Sequence, residues 1–336
     1  MARRSLRFVL LCVAAFLPVA QVCAIEPNDI KIGMSTPMDL ERNGIYVWVN
    51  ALAKSLERAG ARVRIYPNSA IGGEKERMDQ VAIGLLEINV TGSDELNRLS
   101  PLFHAMQRPF QIDSYDHMDR VLYEAGLLDA VNEELADDPY ILLDFAYTGA
   151  MVGLLTRRTP VYRIEDLRPL RLRILSAADI GLLNAWGVRG TRVAWEEVAQ
   201  ALQTGMVDAY LNPPIVAVMF GHGNVLDYFS DLRMGPSGRV VVASRKWYDR
   251  LDPALRKAFH EGIVEARRAN REWTKNAVAR ERRLLEKTGI EWIEISEEAR
   301  EEWRRLNERM KRSRWESPEA EARLRQMIEA TRREGE

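Results

Sequence analysis

Cysteine is nearly absent from these 336 residues: Cys12 and Cys23 are the only two. Both lie in the first 24 residues, read below as a removable leader, so residues 25–336 hold none. That excludes a disulfide framework, a thiolate metal site and a cysteine nucleophile. Histidine is scarce too. His104, His117, His222 and His260 stand far apart, and none has the H-x-x-x-H spacing of a helix-borne metal site. No G-x-S-x-G elbow and no G-x-x-x-x-G-K-[ST] phosphate loop occurs. Neither a metal nor a cofactor is expected. No apolar run is long enough to cross ~30 Å of hydrocarbon comfortably. A basic excess is also missing. The 48 Lys and Arg against 49 Asp and Glu give −1, and 45 − 49 = −4 once Arg3, Arg4 and Arg7 leave with the leader. Phosphate-backbone binding needs a clear positive excess, so nucleic acid is not an expected partner.

What is present begins with that leader. Arg3, Arg4 and Arg7 form a positive start, residues 8–19 are apolar apart from Pro18, and Val22-Cys23-Ala24 is a small-residue cleavage site. The pattern predicts an export signal cut after Ala24, with the mature chain working outside the cytoplasm. A lipid-anchored Cys23 is disfavoured because Ala20-Gln21-Val22 matches a lipobox poorly.

The mature chain alternates strand and helix signals. Ile30, Ile32 and Met34 alternate as a strand; Ile45, Trp48, Leu52 and Leu56 follow at helical spacing up to Gly60. Val63 and Ile65, then a helix through Met78, Val81 and Leu85, then Ile88 and Val90 complete a doubly wound α/β layer. A further helix at 118–122 leads to a strand at 140–146. The pattern restarts after 160. Leu170, Leu172 and Ile174 form a strand, helices follow near 178–186 and 195–204, and strands near 207–211 and 237–244. Asp252-Pro253 opens a helix expected to run unbroken to about Lys287. Beyond Glu291 the chain is rich in Glu and Arg, and Ser296 and Ser317-Pro318 open two more helices, read as a solvated cover.

Candidate chemistry is sparse. Gly72-Gly73 reads as a tight turn before a helix, and the Asn89-Val90-Thr91 sequon lies in a strand. Arg173 stands between Leu172 and Ile174 in an alternating strand. Two readings of it stand: a carboxylate fork aimed into a cleft, or an arginine snorkelling at a sheet edge. Asn212-Pro213-Pro214 is either a ligand-facing amide or a plain turn.

Together these segments resemble a known family. Residues 166–174, with Arg173 near the end, resemble the D-L-K-G-L-K-[IL]-R-V block of the TRAP-transporter substrate-binding proteins, the DctP-like extracytoplasmic solute receptors. Trp195-Glu196-Glu197-Val198, then residues 201–209 and Asn212-Pro213, are similar to [FW]-x-E-V-x-x-A-L-Q-T-G-x-V-D-[GA]-x-x-N-P. Upstream, residues 66–74 resemble Y-P-N-S-x-L-G-G-[DE], and Arg108-Pro109-Phe110 stands in place of L-P-F. The likeness covers roughly residues 28–290.

The resemblance implies a two-domain periplasmic-binding-protein fold (type II-like, α/β), with a long hinge-spanning helix and a helical C-terminus. It divides the chain into residues 25–148 plus about 237–270, and 149–236 plus about 271–336. It implies capture of a small organic acid in the interdomain cleft, delivery to a TRAP membrane permease, and no enzymatic step; the charged C-terminal helices could support a dimer, but read as a solvated cover they leave a monomer expected. The family's carboxylate arginine falls on Arg173, its ligand asparagine on Asn212, and its cleft-wall aromatic on Trp195. Glu74, Ser35, Ser93 and Tyr147 fall at positions that often line the site. One departure stands out: Gly149-Ala150-Met151 occupies a G-x-R segment, so Met151 replaces a second arginine. A thioether packs on carbon and neutralises nothing, which favours a monocarboxylate or keto acid over a dicarboxylate. A ligand receptor for a membrane sensor is the nearest alternative, and an exported α/β hydrolase the next.

Overall fold

The computed structural model describes residues 28–175, 179–310 and 317–333. The expected leader and Ala178, the expected start of one helix, lie outside the described residues. Eleven strands form two sheets. The first takes β1 (Asp29–Met34), β2 (Arg62–Tyr66), β3 (Ile88–Thr91), β4 (Tyr140–Tyr147) and β10 (Gly238–Ser244), in the order β2-β1-β3-β10-β4. The second takes β5 (Gly153–Thr156), β6 (Arg171–Ile174), β7 (Arg189–Arg192), β8 (Ala209–Asn212), β9 (Tyr228–Asp231) and β11 (Glu291–Glu294), in the order β11-β9-β5-β8-β6-β7.

The first sheet is covered on both faces, and the period of its strands shows it. Val240 and Val242 of β10 enter one core with Leu142 and Phe145, while Val241 and Ala243 enter another with Leu143 and Ala146. The second core lies under the helix Gly44–Arg58, whose Asn43 cap accepts from the Ile45 N–H. The strands β5, β7, β9 and β11 were not among the expected ones. Each has four residues, and β7, Arg-Gly-Thr-Arg, has no apolar residue to mark it.

Two short segments carry the chain between the sheets: 148–152, from β4 to β5, and 232–237, from β9 to β10. They bond to each other, Thr148 N–H to Ser237 O at 2.9 Å and Val152 N–H to Gly235 O at 3.0 Å. The third crossing is helical and corrects an expectation. The helix Pro253–Thr274 ends, and a separate helix Ala277–Glu286 begins after Asn276 (φ −107°, ψ 17°). Side chains take over the backbone's partners at the break. Thr274 Oγ1 donates to Asn270 O at 2.8 Å, and Arg280 Nη1 donates to Trp273 O at 2.9 Å. The junction holds no Gly or Pro, so no helix-breaking residue marks it.

The last helix, Pro318–Thr331, also departs from expectation. It was assigned with the second sheet, yet Ala320, Leu324 and Ile328 are buried among Leu102, Val121 and Val131 of the first. Arg120 Nε donates to Thr331 O at 2.8 Å and fastens its end. The helix Glu297–Glu308 does stay with the second sheet, where Trp303 meets Trp186 edge-on at 4.7 Å. Neither helix is only a solvated cover.

Candidate functional site

A cavity of about 240 Å³ opens between the sheets, lined by residues from both and from the 232–237 crossing. Arg173 projects into it from β6, which is paired on both sides by β7 and β8. At 5% exposure it is no snorkelling edge residue. Its Nε donates to Val193 O at 3.0 Å, and its guanidinium carbon lies 5.7 Å from the centre of the Trp195 ring. Nη2 is buried without a partner. Burial lowers the pKa of Arg173, opposed by the charges of Asp94, Asp179 and Glu74.

Trp195 is held in an aromatic cluster. It packs on Phe220 at 4.8 Å and Tyr210 at 6.2 Å, both edge-on. Behind it Tyr210 Oη and His222 Nδ1 are 3.0 Å apart. Burial pushes His222 down to about 4, so the ring stays neutral and structural. Asn212 closes β8, register-paired with Gly153, and lines the cavity beside Val216 and Phe220.

Glu74 opens the helix Glu74–Ile83 and reaches the cavity from the other sheet. It accepts from Ser35 Oγ at 3.0 Å and forms an ion pair with Arg239. Burial pushes its pKa up, but the charges of Arg239 and Arg77 and the Ser35 bond outweigh that and hold it below the usual range. Arg77 is fully buried behind it and donates to Asn89 Oδ1 at 2.9 Å. Ser93 lines the cavity; Ser35 is buried at its back.

Six of the expected site residues therefore come together: Arg173, Asn212, Trp195, Glu74, Ser93 and, through Glu74, Ser35. Tyr147 and Met151 do not join them. Both line a separate cavity of about 480 Å³ with Arg233, Arg271 and Asp119. Tyr147 is fully buried, and its hydroxyl donates to Asp119 Oδ1 at 2.6 Å. Arg239 and Asp94 line the cleft and stand outside the expected set. Arg239 carried a readable signal, a lone charge in the otherwise apolar strand β10.

Among the described residues no group of His, Cys, Asp or Glu could hold a metal ion, and no helix is long and apolar enough to cross a membrane. The cleft's polar atoms suit an anion with further polar groups.

Residues 41–317 match the DctP family, bacterial extracellular solute-binding protein family 7. The chain belongs to that family. It is 24% identical over 272 residues to the C4-dicarboxylate-binding periplasmic protein DctP of Rhodobacter capsulatus, covering 79% of this chain and 80% of the relative. It is 25% identical over 196 residues to the sialic acid-binding periplasmic protein SiaP of Vibrio cholerae, covering 57% and 60%. Among solved structures, a TRAP periplasmic solute-binding protein of a Bradyrhizobium species, in complex with D-galacturonate, superposes with a TM-score of 0.80. It is 21% identical, and the match covers 90% of this chain and 99% of that one. A second, from a Polaromonas species bound to D-erythronate, gives 0.79 at 22% identity, with 91% and 99% covered.

Proposed function

We propose that this family 7 solute-binding protein captures a small organic acid in the cleft and delivers it to a TRAP membrane permease. The observation that carries the reading is Arg173: a buried, cavity-lining guanidinium on a strand paired on both sides, with Nη2 unbonded. A carboxylate accepts from such a fork and compensates its desolvation. Asn212 bonds beside it, and Trp195 supplies an apolar wall. Capture proceeds by closure of two lobes about 148–152, 232–237 and the break at Asn276, with no chemical step. The capturing unit is a monomer. The protein works in the periplasm after cleavage near Ala24.

The preference for a monocarboxylate keeps its sign but changes its ground. Met151 lies outside the cleft, and Arg239 and Arg108 bring two further guanidiniums to it, Arg108 being paired with Glu321 at 3.2 Å. Glu74 already neutralises Arg239, so the cleft presents one cation in need of a carboxylate.

Titration calorimetry with D-galacturonate, D-erythronate and pantoate tests this. Arg173→Ala is expected to lower affinity by about 2–5 kcal/mol, the range for truncating one partner of a buried charge pair. Binding kept within about threefold would refute the role of Arg173.

A further inference from the structure

The cleft holds a second polar atom without a partner. Asp94 Oδ1 is buried and unbonded, and Asp94 lines the same cavity as Arg173. Both residues also line an adjoining cavity of about 200 Å³, so they face one continuous space. A buried polar atom left unbonded carries its full desolvation penalty. Asn97 Oδ1 is likewise buried and unbonded but borders only the adjoining cavity; Arg173 and Asp94, which line both, mark where a ligand's own polar atoms belong. The vacancy at Arg173 Nη2 asks for an acceptor; the vacancy at Asp94 Oδ1 asks for a donor.

The backbone passes close to both acids at Gly92: a Cβ there would lie 2.5 Å from Asp94 Oδ1 and 2.8 Å from Glu74 Oε2, so one of the carboxylates would have to shift. Fold stability gains little from Asp94. Burial first, and the Glu74 charge second, raise its pKa, and Arg239, a backbone hydrogen bond and Arg173 oppose this. Its charge bears instead on the cleft, where it leads the groups that support the charge of Arg173.

We infer that Asp94 is a specificity residue of the cleft, and that the bound acid carries, besides the carboxylate on Arg173, a hydroxyl or ammonium donor that meets Asp94 Oδ1. The inference rests on the organic-acid reading above. A plain acid leaves Oδ1 unmet. A second carboxylate brings like charge against Asp94, with Glu74 beside it. Acids bearing a donor are therefore selected over both.

Four acids of four carbons each separate these cases: D-erythronate, L-threonine, butyrate and succinate, titrated into the wild type, Asp94→Leu and Asp94→Asn. In the wild type, erythronate or threonine is expected to bind roughly tenfold to hundredfold tighter than butyrate and succinate, the range for one hydrogen bond to a charged group. Asp94→Leu is expected to shrink that preference to about threefold or less. Asp94→Asn keeps an acceptor but no charge, so it retains erythronate if the donor is a hydroxyl and loses threonine if it is an ammonium. Both variants are expected to melt at or above the wild type, since each removes a disfavoured buried charge. If Asp94→Leu keeps the full preference while Arg173→Ala abolishes binding, the inference falls and the organic-acid reading stands. If none of the four acids, nor D-galacturonate, binds the wild type, both fall.

Discussion

Arg173 and Arg271 are both largely withdrawn from solvent, one in the cleft and one beside the hinge, and they differ in how fully their donors are met. Arg271 Nε and Nη2 grip Asp119, Nη2 at 2.8 Å; Nη1 donates to Phe145 O and Asn270 Oδ1, each at 2.9 Å; Nη2 also reaches Tyr123 Oη at 2.9 Å. Its guanidinium lies 4.0 Å from the centre of the Tyr147 ring. Burial works against its charge, but Tyr123, Tyr147 and Asp144, with the Asp119 bond, outweigh it and raise its pKa. Arg173 is the reverse: its pKa is lowered and one amino group is unbonded. An arginine whose donors are satisfied within the chain holds the fold together. An arginine left with a vacancy at a cavity is arranged for something that comes and goes. Tyr147 belongs to the first kind of site, whatever its place in a family pattern.

The contrast breaks most visibly in stability. Arg271→Met leaves Asp119 without its cation and is expected to cost about 3–5 kcal/mol in urea unfolding. Arg173→Met removes a guanidinium that the fold does not satisfy and is expected to change stability by no more than about 1 kcal/mol. Equal losses in the two variants would erase the distinction.

Glu281 sharpens it at the hinge. Its carboxylate is fully buried and accepts from Ala150 N–H at 2.8 Å and Ile215 N–H at 3.0 Å, joining the 148–152 crossing to the helix after Asn212. Burial pushes it up to about 8 against those two bonds and the charge of Arg280. The folded state thus holds a proton that the unfolded state releases at about 4.5. Stability is therefore expected to fall as pH rises from about 4.5 to about 8. Urea midpoints across this range should show the fall in the wild type and a flatter profile in Glu281→Gln. The smallest effect is expected from Ser35→Ala, which removes one bond to Glu74 and should cost about 1 kcal/mol. That loss should appear in the unfolding midpoint of the unliganded protein.

Strands with period-two apolar residues, such as β1 and β10, and capped helices, such as those after Asn43 and Asp252, were legible along the chain. Their signals lie within a few residues. The break at Asn276 was not legible, because Arg280 and Thr274 make it from the helix's own neighbours. The home of the last helix was not legible either. Ala320, Leu324 and Ile328 form an apolar stripe that fits any partner of the right shape, and only tertiary packing chooses the first sheet. Arg173 and Asn212 were placed by resemblance to the family. Arg239 and Asp94 have no such block around them, and their meaning depends on Glu74, which reaches the same space from another element.

The central claim is that the vacancy at Arg173 holds an organic acid. Its most direct test is calorimetric titration of the wild type and Arg173→Met with D-galacturonate, D-erythronate and pantoate under one condition. At least one acid is expected to bind the wild type, and Arg173→Met is expected to weaken it by about 30-fold or more, the equivalent of about 2 kcal/mol. Binding by Arg173→Met within about threefold of the wild type would contradict it.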